Sequence, residues 1–211
     1  MQSRPLGRTG LKVSEIGFGA ASFWGHPAFS EAEALRLVHR ALDLGVTLFD
    51  TGPAYSLGQA EGRLGRALAG RDLSGLVVAT KVGARFEGGR VRRDMSLPAI
   101  EASLEHSRRR LGLESLPLVH LHGPSAQELT PDFLGGLERL REQGLFQRLG
   151  VNNFDPAVID AALAWVLGIE GVSTALVGTT RAGHLEEAAL ASGVTLPAEL
   201  AVSIACTQTA I

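Results

Sequence analysis

Six short apolar runs, each separated from the next by a stretch of helical period, constrain this chain more than any other feature. The runs are Glu15–Gly19, Thr47–Asp50, Leu76–Lys81, Pro117–His122, Gln147–Val151 and Val172–Val177. Strands that alternate with helices argue for a parallel sheet covered by helices, hence an α/β protein. The helices between them carry end signals. Ser30 with Glu33 reads as a capping box, and Ala34, Val38, Ala41 and Leu42 follow helical spacing up to Gly45. Thr130-Pro131 and Asp155-Pro156 each put a cap residue before a proline at the first helical position. Gly112 and Gly144 sit where helix C-terminal glycines belong. Ile100, Leu104 and Leu111 give another helix its apolar stripe, with Arg108-Arg109-Arg110 as its solvated face. Ahead of the alternation, Pro5-Leu6 and Leu11-Lys12-Val13 flank the turn Gly7-Arg8-Thr9-Gly10 and predict a hairpin.

The chain has 211 residues, which suits one domain spanning 1–211. Its 45% hydrophobic and 20% charged content excludes a disordered chain. A net charge of −2 offers no electrostatic basis for a nucleic-acid or anionic-membrane partner. Cys206 is the sole cysteine, so no internal disulfide or cysteine-based zinc site can form, and a reducing, cytoplasmic setting fits. No run approaches the roughly 18 apolar residues of a membrane span, and the first residues lack the apolar core of a secretory signal.

Two parallel architectures compete. A doubly wound dinucleotide-binding sheet calls for a Gly-x-Gly-x-x-Gly turn after its first strand, of which Gly17-Phe18-Gly19-Ala20-Ala21-Ser22 supplies only the first half. A TIM-type (β/α) barrel gathers reactive groups from the C-terminal ends of several strands. Asp50, Lys81 and His122 close three successive strand candidates, and Tyr55, the only tyrosine, lies just beyond Asp50. The barrel is therefore the expectation.

Singly, each of these residues has an ordinary reading: Tyr55 as packing, Lys81 as a solvated charge, and an inward histidine as a core group. Together they suit proton transfer. A tyrosine hydroxyl ordinarily releases its proton near pH 10; a neighbouring ammonium favours the phenolate, and a carboxylate keeps the ammonium charged and aimed. Asp50, Lys81 and Tyr55 are the types such a relay needs, and His122 can donate a hydrogen bond to a substrate carbonyl. With a hydride donor beside it, the set reduces an aldehyde or ketone to an alcohol.

The run Gly45-Val46-Thr47-Leu48-Phe49-Asp50-Thr51-Gly52-Pro53-Ala54-Tyr55, followed by Glu61-Gly62-Arg63-Leu64-Gly65-Arg66-Ala67-Leu68, resembles the signature of the aldo-keto reductase family. The opening Arg4–Ser14 is similar to the hairpin that plugs the bottom of that family's barrel. Thr80-Lys81 and Leu121-His122-Gly123-Pro124 match its lysine and histidine stations. The resemblance covers most of the chain. It implies a (β/α)8 fold and NADP(H)-linked carbonyl reduction, with Tyr55 as acid, Lys81 and Asp50 tuning it, and His122 orienting a small carbonyl or alcohol substrate.

The resemblance also implies cofactor contacts. Gly19 and Ala20 match the backbone beside the nicotinamide ribose, and Asn152 and Asn153 the polar pair that holds the carboxamide, Asn152 replacing a serine. Gly178, Thr179, Thr180, Arg181, His184 and Glu187 match the last strand and the helix gripping the adenosine end. Arg181 could pair with a 2′-phosphate, which favours NADP over NAD. Ala188 stands where an asparagine is usual, and His184 where an arginine is common.

Only about six of the eight strand–helix units can be counted. One helix fits between Asp155 and Leu167, and Gly171-Val172-Ser173-Thr174-Ala175 then starts what resembles the eighth strand. The sixth and seventh units, with their ring-stacking aromatic and pyrophosphate loop, are missing by this comparison. The expectation is an incomplete barrel, marginally stable or paired into a homo-oligomer through an open edge. Two other readings stay open: a reductase remnant or binding module without turnover, and a metal-dependent hydrolase using His120 and His122 as paired ligands.

Overall fold

A computed structural model of the chain describes residues 3–6, 9–14, 16–152 and 172–175. It begins with the expected hairpin, β1 (Ser3–Pro5) against β2 (Lys12–Ser14), antiparallel with Ser3 opposite Ser14. The Thr9 hydroxyl closes its turn, donating to the Leu6 carbonyl at 2.6 Å and accepting from the Leu11 amide at 3.0 Å.

The body of the fold follows as β3 (Phe18–Gly19), α1 (Glu31–Asp43), β4 (Leu48–Asp50), α2 (Ala60–Leu68), β5 (Val77–Val82), β6 (Ala84–Glu87), β7 (Arg90–Arg93), α3 (Leu97–Leu111), β8 (Leu118–His122), α4 (Pro131–Glu142), β9 (Leu149–Asn152) and β10 (Val172–Ala175). Strands β3, β4, β5, β8, β9 and β10 form one six-stranded sheet in that order, every pair parallel. The spatial order is the chain order and never reverses. A doubly wound sheet must reverse at its switch point, so this is barrel-type winding. Among the described residues no pairing joins β10 back to β3, so the part of the barrel they form is open. β10 pairs directly with β9, with a register shift between Val172 and Thr174.

Each strand candidate falls on an observed strand, with described ends moved inward or outward by one to three residues, while Leu176 and Val177 of the last lie outside the described residues. The first is cut most, to Phe18–Gly19. The hairpin β6–β7, turning through Gly88 (φ 58°) and Gly89 (φ 78°), was not among the expectations. Ser30 does precede α1, but its hydroxyl makes no capping hydrogen bond, so the capping box is not formed. Thr130 does cap α4, accepting from the Phe133 amide at 3.2 Å, and Gly112 ends α3 in the left-handed conformation. The Asp155-Pro156 signal lies outside the described residues.

The two faces of the sheet bury different things. Phe49, Val78, Val82, Val119, Leu121 and Val151 face the helices and pack with Val38, Leu64, Ile100, Leu104 and Leu137. The inward face holds a second cluster, Val77, Ala79 and Leu118, joined by Val13 with Leu6, Leu11 and Leu48. The hairpin thus plugs the bottom of the sheet's concave side, as expected. Burying Val13, Val77 and Leu118 here is worth roughly 1.5–3 kcal/mol each. Paired Ser14 and Thr47 hydrogen bonds (2.7 and 2.9 Å) pin the plug to β4.

The signature helix α2 earns its residues structurally. Arg63 is buried and one guanidinium nitrogen donates to the carbonyls of Trp24, His26 and Phe29, clamping the loop before α1. Glu61 is fully buried, accepting from the Thr80 hydroxyl (2.6 Å) and from Arg110 (3.1 Å). Arg110 is therefore no plain solvated charge: it neutralises a carboxylate inside the helix layer. A Cβ at Gly65 would lie 2.1 Å from the Arg110 carbonyl oxygen, so only glycine lets α2 and α3 approach this closely.

Candidate active site

Register explains how residues far apart in sequence converge. Gly19 pairs with Asp50, Asp50 with Ala79 and Ala79 with Leu118. Lys81 pairs with His120, and His122 with Asn152. Paired residues in a sheet share a face, as do residues two apart along a strand. Asp50, Lys81, His120, His122 and Asn152 therefore all face inward, climbing towards the C-terminal ends from β4 to β9. That climb is what strand tilt produces in a barrel, where residues at one height come from progressively later register positions.

Lys81 is the centre of the group and is only 2% exposed. Its ammonium donates to both carboxylate oxygens of Asp50 (2.9 and 2.7 Å) and to the Thr51 carbonyl (2.8 Å). Three acceptors account for its three protons. The Asp50 side chain stays 35% exposed, which eases the desolvation that makes a wholly buried ion pair costly.

Tyr55 begins a short turn, Tyr55–Gly58, held by a hydrogen bond from its amide to the Gly52 carbonyl (3.1 Å). The Lys81 ammonium lies 4.6 Å from the centre of the Tyr55 ring, a cation–π contact. The Tyr55 and His122 rings meet edge to face with centroids 6.0 Å apart. Ser56 (φ 52°, ψ 48°) and Leu57 (φ 58°, ψ 33°) are both left-handed, each costing about 1–2 kcal/mol relative to ordinary backbone. Surrounding contacts must hold this turn in place. Gly25 leaves it room: a Cβ there would lie 2.5 Å from the Ser56 hydroxyl oxygen.

The histidines behave differently. His120 is fully buried, and neither ring nitrogen has a hydrogen-bond partner among the described residues. Burial first, then Lys81 and His122, push its pKa down to about 3. His122 is partly buried; burial and Lys81 lower its pKa, Asp50 opposes them, and Arg93 adds to the lowering. Both rings are therefore neutral near pH 7, and a neutral imidazole keeps one N–H to donate.

The four expected proton-handling residues are brought together. Of the expected cofactor contacts, Gly19 is exposed beside Asp50. Ala20 is fully buried, its amide donating to the Asp50 carbonyl (2.7 Å) and its carbonyl accepting from the Thr51 hydroxyl (3.1 Å). Asn152 is buried opposite His122, its side-chain oxygen without a partner among the described residues. Asn153, Gly178, Thr179, Thr180, Arg181, His184 and Glu187 lie outside the described residues. Among those described, no group of three or more His, Cys, Asp and Glu residues could hold a metal ion, so His120 and His122 have no third ligand there. Sequence reasoning overlooked the Thr51 carbonyl as the third partner of Lys81. A backbone acceptor leaves no mark on residue type. No helix of the described residues is long and apolar enough to cross a membrane.

Comparison with known proteins bears on this geometry. The model of the aldo/keto reductase family matches residues 15–162. The chain is 33% identical to the L-galactose dehydrogenase of Arabidopsis thaliana over 159 residues, covering 72% of this chain and 48% of that protein. It is 28% identical to the D-threo-aldose 1-dehydrogenase of a Pseudomonas species over 228 residues, covering 95% of this chain and 64% of the relative. That alignment is longer than the 211-residue chain, so it opens gaps here. The solved structure of a glycerol dehydrogenase from Gluconobacter oxydans superposes with a TM-score of 0.64 at 27% identity, covering 84% of this chain and 58% of that one. The chain thus spans about half to two thirds of the length of these relatives.

Proposed function

The chain belongs to the aldo-keto reductase family, and we propose that it interconverts a small aldehyde or ketone with its alcohol, using NADP(H) or NAD(H) and Tyr55 as general acid. The observation carrying this reading is a buried ammonium, Lys81, held by Asp50 and lying against the ring of Tyr55, with His122 at that ring's edge. Two residues fit a nicotinamide group: Asn152, whose buried side-chain oxygen lacks a partner among the described residues, and Gly19, exposed without a side chain beside Asp50. When bound, that group supplies the hydride. Asn153, Gly178, Thr179, Thr180, Arg181, His184 and Glu187 complete the proposed contacts.

The protein's own work is with the proton. His122 donates its imidazole N–H to the carbonyl oxygen and fixes its direction. As the carbonyl carbon is reduced, the Tyr55 hydroxyl gives its proton to that oxygen. The negative charge left on Tyr55 is offset by the Lys81 ammonium, 4.6 Å from the ring centre, which Asp50 and the Thr51 carbonyl keep from turning away. In the oxidative direction the phenolate takes the proton back.

The names of the relatives supply a test panel: aldoses and small polyols, offered as aldehyde with NADPH and as alcohol with NADP⁺. General acids contribute roughly 10²–10⁴-fold, so Tyr55→Phe lowers kcat by that factor while the NADPH fluorescence change on binding persists. Intact turnover in the variant removes Tyr55 from the mechanism. The six-stranded sheet favours one rival, a binding protein that no longer turns over. Binding of NADPH without turnover of any panel substrate selects it, and sedimentation tests pairing of two copies through open strand edges.

A further inference from the structure

We propose that Arg93 is a positioning residue for His122, and that the β6–β7 hairpin acts through it as a strap across the loop behind that histidine. The inference rests on the reductase reading for what His122 does, and on geometry alone for how His122 is held.

The loop after β8 has two anchor points in its first residue, Gly123. The Gly123 amide donates to the Asn152 carbonyl at 2.9 Å, which ties it to the end of β9. The Gly123 carbonyl accepts from an Arg93 guanidinium nitrogen, also at 2.9 Å. Gly123 is left-handed (φ 62°), a conformation that suits glycine, and directly follows the imidazole-bearing residue. Arg93 also grips Glu128 with two nitrogens, one at 2.6 Å. The same carboxylate accepts from the Ser125 amide (2.8 Å) and hydroxyl (2.9 Å). One fork and one carboxylate therefore close the turn 123–128 and fasten it to the hairpin. The flat two-pronged guanidinium suits this double duty, matching the carboxylate with its fork in a way that a lysine's single point of charge does not.

The contact has an electrostatic side. His122 is faced by Lys81 from β5, Asp50 from β4, neutral His120 on its own strand, the Tyr55 ring, and Arg93 from β7. Arg93 is one of the two cations that disfavour a proton on His122, while Asp50 favours one. Glu128 is itself pushed down to about 2 by Arg93, so the pair stays charged across the working range. Both side chains are partly exposed, and an exposed pair stabilises a fold little. Its effect is to be sought in the site.

The test uses the whole chain, with NMR titration of the His122 ring, assigned through His122→Asn, and NADPH-linked reduction of glyceraldehyde as the kinetic probe. In Arg93→Ala the His122 pKa rises, one of the two cations opposing its proton being gone, and the Gly123 amide resonance moves. kcat falls about tenfold, with the KM for NADPH unchanged. Arg93→Lys restores the titration but not the Gly123 resonance. Glu128→Gln, which leaves the guanidinium in place, moves the loop resonances and gives a second variant should Arg93→Ala fail to fold. An unchanged His122 titration and Gly123 resonance in folded Arg93→Ala overturn the proposal. Should the unsubstituted protein show no turnover while the resonances respond as stated, the reductase reading fails and the strap stands.

Discussion

Leu118 opens β8 and His122 closes it, both on the sheet's inward face, yet their surroundings have nothing in common. Around Leu118 the inward face is apolar: Val77, Ala79 and Leu48, sealed by Val13 and Leu11 of the N-terminal hairpin. Around His122 it carries an ion pair, two neutral imidazoles and an amide oxygen, several of their polar atoms without partners among the described residues. The same strands thus spend their lower ends on burial and their upper ends on chemistry. A buried polar atom without a partner costs about 1–3 kcal/mol, so the upper end is tolerable only because the plug and the helix layer stabilise the strands beneath it.

If that division is real, the lower end loses stability and the upper end loses reactivity. The largest stability effect is expected from Leu118→Ala, about 2–5 kcal/mol in chemical denaturation, as for other fully buried leucines. A loss below 1 kcal/mol means the plug packs loosely. Next comes His120, which sits between the two ends. Its ring is held neutral in the fold down to about pH 3, whereas the unfolded chain binds that proton near pH 6.5. The unfolded state therefore holds more protons between those values, and stability falls as pH falls from about 6.5 towards 3. By pH 5 the loss amounts to about 2 kcal/mol, and His120→Gln should remove it. An unchanged pH dependence shows that acid reaches His120 without unfolding. Smallest of all, Tyr55→Phe keeps the ring over the Lys81 ammonium and should change stability by less than about 0.5 kcal/mol. A larger loss makes Tyr55 part of the packing and blurs the division.

What could be read beforehand follows the same physics. The strand ends carrying Asp50, Lys81 and His122 were legible because an apolar run stops at a residue able to take or give a proton, and such runs are common to every barrel strand. Thr130 and Gly112 were legible because their local chemistry acts within one turn. Ser30 misled, since the residue types of a capping box do not oblige the hydroxyl to bond. The β6–β7 hairpin escaped notice for a physical reason: Arg90–Arg93 are all exposed, so no alternation of apolar and polar marks them. Gly88-Gly89 was its one signal. The Glu61–Arg110 pair escaped because charges on helices read as solvent-facing, and only the third dimension shows that one of them is enclosed. The count of about six units came from the pattern, but how β10 pairs with β9 is a matter of register that spacing alone does not encode.

The hairpin has a reach that its exposure disguises. β6 contacts the turn that begins at Tyr55, and Arg93 on β7 holds the carbonyl that follows His122. The proposed proton donor and the proposed carbonyl-orienting group are thus each touched by one leg of the same ribbon. Its glycine tip touches little: a Cβ at Gly89 would meet nothing within 4 Å. Lengthening, cleaving or grasping that tip is accordingly a lever on the arrangement of Tyr55 and His122 from a distance, applied without replacing either side chain.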